Sequence, residues 1–278
     1  MPEIEEGKFL DTNVVLDIIY IKRPRHDIAF NFYTKFKNYE LLIEETVQFE
    51  CYHLALESSS LFNKKILEFI NFKKNKGIFW DNLRPDKRME ILKEFQENSQ
   101  KDQEVSYYKE FIYDLIEDLK DNIIYMNLQE IKNLISEIPV FMATEMKKQI
   151  SYRFRIVMPN YGIDIINGID IINETKKTIK EILNKNPLFK TNQSNDRDIF
   201  INLIIIGSFG DSDNNTYKKV IFYTFDPGFK KPFSEFHEIL LNFYNNKDLN
   251  NNEVEIKKHI EQGYFIMSLR ELSESKNG

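Results

Sequence analysis

Lys8-Phe9-Leu10-Asp11-Thr12-Asn13-Val14-Val15-Leu16-Asp17 (KFLDTNVVLD) is the stretch that decides the fold. The short run Lys8–Leu10 ends on an acid, as buried parallel strands do. A helical pattern follows from Val14 to Tyr20 and another from Asp27 to Lys37, with Pro24 as the breaker between them. Glu40-Leu41-Leu42-Ile43 reads as a second strand. Thr46 then caps a helix that carries Val47, Phe49, Glu50 and Leu54. The chain opens as β-α-β-α.

The far end returns to this alternation. Asp198–Phe209 is a strongly apolar helix suited to burial against a sheet. Val220–Thr224, β-branched and aromatic, is the best strand pattern in the chain and runs up to Asp226. A helix at Phe233–Tyr244, a short one at Val254–Glu261 and a strand at Tyr264–Ser268 complete the chain. Strands alternating with helices imply right-handed crossovers and a parallel sheet. From Leu61 to Lys190 the character changes. Helical periodicity recurs around Ile66–Phe72, Arg88–Phe95, Val105–Leu119, Leu128–Ile135 and Glu174–Leu183, with no clear strand, before a polar loop at Asn186–Asn195. The expected organisation is one α/β domain made of residues 1–60 and 194–278, interrupted by a mostly helical insertion at 61–193. The tandem hexapeptide GIDIIN, at Gly162–Asn167 and Gly168–Asn173, is too short a repeat for a solenoid and reads as a local slippage product.

Composition narrows the chemistry. With 42% hydrophobic and 14% aromatic residues in 278, the chain is globular and buries a substantial core. No apolar run approaches the roughly 18 residues of a membrane span, and the start MPEIEEGKF lacks signal-peptide character. The single Cys51 excludes an internal disulfide and a cysteine-cluster zinc site, and the four histidines have no ligand-like spacing. A reducing, cytoplasmic setting is expected. No Gly-rich loop precedes a helix, which argues against P-loop nucleotide binding.

The net charge of −6 hides local contrast: Asp86–Asp121 holds eleven acids against six bases. Basic clusters lie at Lys22/Arg23/Arg25, at Lys64–Lys76, at Lys147/Lys148/Arg153/Arg155 and at Lys176–Lys190. Each alone reads as a solvated helix face; several converging on one cleft would form a phosphate track.

The chemistry rests on where acids fall. Asp11 follows the first strand and Asp226 the strong one; Glu50 lies in the helix after the second strand, Asp196 and Asp198 at the start of the apolar helix. Ligands of open parallel sheets bind beyond the carboxyl ends of the strands, so these acids would meet at one rim. Crowded carboxylates raise one another's pKa unless cations neutralise them, and the simplest cations are Mg²⁺ or Mn²⁺.

Phe9–Asp17 resembles the opening of PIN domains, an apolar strand running into D-T-N-V and a later Asp. Thr46-Val47-Gln48-Phe49-Glu50 is similar to that family's second motif, Asn195–Ile199 to its third, and Tyr223–Phe229 to its fourth, T-x-D-x-x-F. Tyr264–Glu271 resembles its last strand. The resemblance covers Met1–Ser60 and Ser194–Leu272 and leaves the middle unmatched. It implies a PIN-like three-layer α/β fold with a parallel sheet of about five strands. It also implies metal-dependent hydrolysis of phosphodiesters, most often in single-stranded RNA, with single-stranded DNA left open. An inhibitor or antitoxin partner and a homodimer also stay open; a membrane partner is not expected.

Carried onto this chain, the resemblance makes Asp11, Glu50, Asp226 and one or both of Asp196 and Asp198 catalytic metal ligands. Glu50 is preferred over Glu44 and Glu45 because only Glu50 sits inside the apolar helix pattern. Asp196 and Asp198 cannot face the same way on a helix, so one is a ligand and the other a helix N-terminal charge; which is which stays open. Thr12, Asn13, Asp17, Thr46 and Thr224 are candidates to orient ligands or substrate. Lys147, Lys148, Arg153 and Arg155 are candidate nucleic-acid contacts, with Tyr152 or Phe154 to stack a base. The competing reading is a regulatory or protein-interaction module on an eroded PIN scaffold. Retention of all four acidic motifs counts against it.

Overall fold

A computed structural model describes residues 3–21, 23–101, 119–160, 163–164, 169–185, 194–226, 230–262 and 264–269. The expected helix at Val105–Leu119, the loop at 186–193, Pro227-Gly228-Phe229 and the residues after Leu269 fall outside these, apart from Leu119 itself. So do Lys22, Lys190 and parts of the tandem hexapeptide.

In chain order the elements are β1 (Glu3–Leu10), α1 (Thr12–Ile19), α2 (His26–Tyr33), β2 (Leu41–Glu44), α3 (Glu45–Asn75), α4 (Pro85–Lys101), α5 (Leu128–Arg153) and β3 (Arg155–Val157). Then come β4 (Ile163–Asp164), β5 (Ile169–Asp170), α6 (Ile171–Asn184), α7 (Ser194–Phe209), β6 (Thr216–Thr224), α8 (Lys230–Asn245), α9 (Asn251–Gln262) and β7 (Tyr264–Ser268). The protein is α/β, mostly helical, around a small parallel sheet.

The sheet order is β3-β2-β1-β6-β7, every neighbouring pair parallel. Four strands make its body, and the three-residue β3 extends one edge. The full five strands implied by the resemblance are therefore reduced to four and a short edge piece. That edge piece also corrects the expectation of no strand between Leu61 and Lys190, as do the two-residue β4 and β5. Three residues between a helix and Pro159 are too few to show a period of two. The two copies of the repeated hexapeptide pair with one another: Ile163 faces Asp170 and Asp164 faces Ile169 across an antiparallel hairpin.

The chain divides into two compact units. The first comprises residues 1–18, 27–50 and 150–278; the second, residues 19–26 and 51–149. The helical segment therefore starts ten residues earlier than 61 and ends well before 193. Its N-terminal boundary is hidden in the sequence because α3 is one continuous helix running from the first unit into the second. At the other side β3 pairs with β2 and α6 packs on α7, returning 155–184 to the first unit.

In the first unit all four residues of β2 and the last five of β6 are buried, as expected of a parallel sheet covered on both faces. α7, whose Ile199, Phe200, Leu203 and Ile206 are buried, packs against β6 and β2, with the Phe200 ring near that of Phe222, and α9 packs against α7. Gly207 permits that last approach, since a β-carbon there would meet the His259 ring within 2 Å.

The second unit has its own core, in which Phe62, Ile66, Trp80, Leu92, Phe95, Ile131 and Ile135 meet. Pro139 lies inside α5 and cannot donate to the carbonyl of Ile135; Asn63 of α3 donates to that carbonyl instead. Buried Arg88 donates from Nε to the Trp80 carbonyl (3.1 Å), and from its terminal nitrogens to Ile124 (3.0 Å), Met126 (2.9 Å) and Asp81 (3.3 Å). It also lies over the Trp80 ring. Arg88→Ala strands these buried acceptors and is expected to destabilise the chain by about 3 kcal/mol or more, read by urea denaturation. A loss under about 0.5 kcal/mol would show that water meets those carbonyls as well as the guanidinium does.

Candidate active site

Asp11 sits where β1 turns into α1. Its N–H continues the ladder to the Tyr223 carbonyl (2.9 Å), and its own carbonyl accepts from Val15 (3.0 Å) to start the helix. Its side chain, 6% exposed, accepts a hydrogen bond from the Thr224 hydroxyl at 2.7 Å. That hydroxyl in turn accepts the Asp226 N–H at 2.9 Å, so the fully buried Thr224 ties the ends of β1 and β6 together. Asp226 itself is exposed, while Phe225 beside it is core. Thr12 donates its hydroxyl to the half-buried Glu50 on α3. Asn13 is half-buried in the first turn of α1, and Asp17 is fully buried on that helix.

The two third-motif acids differ in their neighbours. Asp198 pairs with Lys180 of α6 at 3.0 Å. Asp196, two residues earlier, is within electrostatic reach of Glu50 and Asp226. Its carboxyl is pushed up to about 6 by burial first, then by the negative charges of Glu50 and Asp226. Asp11 is pushed up to about 7, again mainly by burial; the Thr224 hydrogen bond opposes this, and the charges of Asp196 and Glu50 add to it. Asp11, Glu50, Asp196 and Asp226 thus form one electrostatically linked group drawn from β1, α3, α7 and the end of β6. Asp198 is the helix-start acid, held by a lysine.

Among the described residues, no three of His, Cys, Asp or Glu close around a common point tightly enough to hold an ion by themselves. The donor set nevertheless fits Mg²⁺ or Mn²⁺. Hydrated Mg²⁺ keeps several waters and is held by one or two carboxylates together with substrate phosphate. Oxygen donors alone, with two of the carboxyls raised by mutual charge and burial, match that hard cation. Cavities of about 420 and 510 Å³ lie elsewhere on the first unit, around Tyr39, Arg155 and Tyr217 and around Ser208, Lys219 and His259; neither is lined by these acids.

Other expected site residues behave differently. Thr46 turns toward Glu44 and Asn202: its N–H donates to Glu44 at 2.8 Å, and Asn202 lies 3.4 Å from its hydroxyl. Lys147 and Lys148 belong to the second unit, Arg153 and Arg155 to the first, so the four do not form one local patch of a single unit. Arg155 is held in a structural ion pair. It pairs at 3.1 Å with the fully buried Asp211, which also accepts the Tyr217 hydroxyl and the Asp213 and Asn215 N–H groups. Phe154 is 1% exposed and packs edge-on against Tyr33, which removes it as a stacking platform; Tyr152, at 64%, is free to serve.

Glu44 is the residue sequence reasoning passed over. It is 2% exposed, accepts from Asn202 Nδ2 at 2.7 Å, and is pushed up to about 7 by burial despite the Thr46 and Asn202 hydrogen bonds and the nearby Lys176 charge. The signal was present: Glu44 ends an apolar strand, as the residue before Asp11 does. No family model, curated protein or solved structure matches this chain.

Proposed function

We propose that this chain is a PIN-like, metal-dependent nuclease that hydrolyses phosphodiester bonds, with single-stranded RNA as its substrate. The observation that carries this reading is the electrostatically linked group of Asp11 and Asp226, just past the ends of the parallel strands β1 and β6, with Glu50 of α3 and Asp196 of α7, in the order of the four PIN-like motifs. These acids would hold the ion. The Thr224 hydroxyl holds Asp11 and the Thr12 hydroxyl holds Glu50. A divalent ion there would lower the pKa of a water toward neutrality and offset charge on the phosphate.

The test is cleavage of a labelled single-stranded RNA by the purified chain with Mg²⁺ or Mn²⁺, alongside EDTA and a matching DNA. Activity in either metal, lost in EDTA, supports the reading. No cleavage and no Mn²⁺ binding would instead favour an inactive interaction scaffold. The acid pair gives a sharper check. Asp196→Asn is expected to lower the cleavage rate at least about 100-fold, beyond the usual effect of losing a group that only supports a ligand. Asp198→Asn should stay within a few-fold of wild type, because it loses only a partly exposed pair with Lys180. Equal losses in both would return the assignment to ambiguity and count against Asp196 as the ligand.

A further inference from the structure

We propose that Glu44 is a positioning residue for this acidic site: through the N-terminus of α3 and Asn202 of α7, it sets the distance between Glu50 and Asp196. This rests on the metal-site reading above. β1 pairs with β2 so that Lys8 lies beside Leu41, and the same register carried three residues on sets Glu44 beside Asp11. Glu44 is therefore in the rim row of the sheet, yet its carboxyl faces two helices. One oxygen accepts the Thr46 N–H at 2.8 Å and caps the start of α3; the other accepts Asn202 Nδ2 at 2.7 Å from α7.

Both helices carry one of the proposed metal-site acids within two turns of this lock. Glu50 lies four residues along α3 from Thr46, about 6 Å, and Asp196 six residues back along α7 from Asn202, about 9 Å, at 1.5 Å per residue. A carboxyl that bonds the start of one helix and the middle of the other fixes the spread of the two arms that carry these acids. Ligand-supporting groups of this kind commonly govern metal affinity by about 10–100-fold.

Asn202 provides the control. It is 4% exposed, and its Oδ1 has no hydrogen-bond partner among the described residues. In Glu44→Gln the new amide can keep the Thr46 N–H on its oxygen and donate its NH₂ to Asn202 Oδ1 once the Asn202 amide turns over. The lock then survives without the charge. A Glu44 that bound the ion itself could not be replaced this way.

The experiment is calorimetric titration of Mn²⁺ into the intact chain, well below its melting temperature, for wild type, Glu44→Ala, Glu44→Gln and Asn202→Ala. The expected result is a Kd weakened about tenfold or more in Glu44→Ala and Asn202→Ala, and within about threefold of wild type in Glu44→Gln. If Glu44→Ala does not fold, Asn202→Ala and Glu44→Gln decide the matter. Unchanged Kd in the alanine variants, with only a lower melting temperature, overturns the proposal and leaves Glu44 a purely structural residue. Loss in Glu44→Gln equal to that in Glu44→Ala overturns it in favour of direct ligation. Absence of Mn²⁺ binding by wild type removes the metal-site reading itself, and this inference with it.

Discussion

Asp11→Asn is expected to cut metal-dependent RNA cleavage at least about 100-fold while raising, not lowering, the melting temperature of the metal-free protein at pH 8. Both effects have one cause. Asp11 is buried beside Asp196 and Glu50, and its carboxyl is held up at about 7 chiefly by burial. At pH 8 the folded, metal-free chain therefore carries a poorly solvated charge that costs on the order of 4 kcal/mol relative to the unfolded chain. Asparagine keeps the shape and still accepts the Thr224 hydroxyl, so the charge goes and the scaffold stays. An ion held there would lose one of its anionic oxygens. Asp226→Asn should abolish cleavage equally but leave the melting temperature nearly unchanged, because Asp226 is exposed. Wild-type cleavage in both variants would refute the assignment. A marked loss of stability in Asp11→Asn would show that its charge is solvated or paired in the fold.

The second large effect is on stability against pH. Asp11, Asp196 and Glu44 all have raised folded-state values, to about 7, 6 and 7. Their contribution to stability is complete below the unfolded carboxyl range near 4. It is lost as pH rises through 6 to 7, since the unfolded chain ionises freely and the fold does not. Buried His259 works in the opposite sense. Burial lowers it to about 4, so its contribution is complete above about 6.5 and is lost as pH falls toward 4. Metal-free protein should therefore be most stable at mildly acidic pH and weaken toward pH 8. Mn²⁺ competes with protons for the carboxylates, so the rise in melting temperature it produces should be several degrees larger at pH 8 than at pH 5.5. Thermal denaturation with and without Mn²⁺ across that range is the measurement. An equal rise at both pH values would mean the ion is not held by these groups.

Much of this was legible in the residues because it is local. An apolar run leading to an acid is a buried strand meeting a rim, and that pattern located β1 and β6; short apolar runs alone located β2 and β7. The continuous apolarity of Ile199–Ile206 identified α7 as a helix with no solvent face. Where the pattern was too short or unbroken it carried no boundary. β3 has three residues, and α3 runs through the junction between the two units as one helix, so neither the edge strand nor the division at Glu50/Cys51 could be read. Arg155 and Phe154 were misplaced for another reason. A basic or aromatic residue near a helix end looks the same whether it faces solvent or, as here, faces Asp211 and Tyr33.

Which acids follow a strand or open a helix is written in residues next to one another, and Asp11, Asp196 and Asp226 were legible in that way. How the acids share their neighbours depends on contacts distant in the chain. Asp198 is taken up by Lys180, eighteen residues away, leaving Asp196 to the group with Asp11, Glu50 and Asp226. Glu44 is taken up by Asn202, 158 residues away. Secondary structure is written in periodicities a few residues long. The partner of a buried charge is set by which helices the sheet brings alongside one another, and desolvation makes that choice matter.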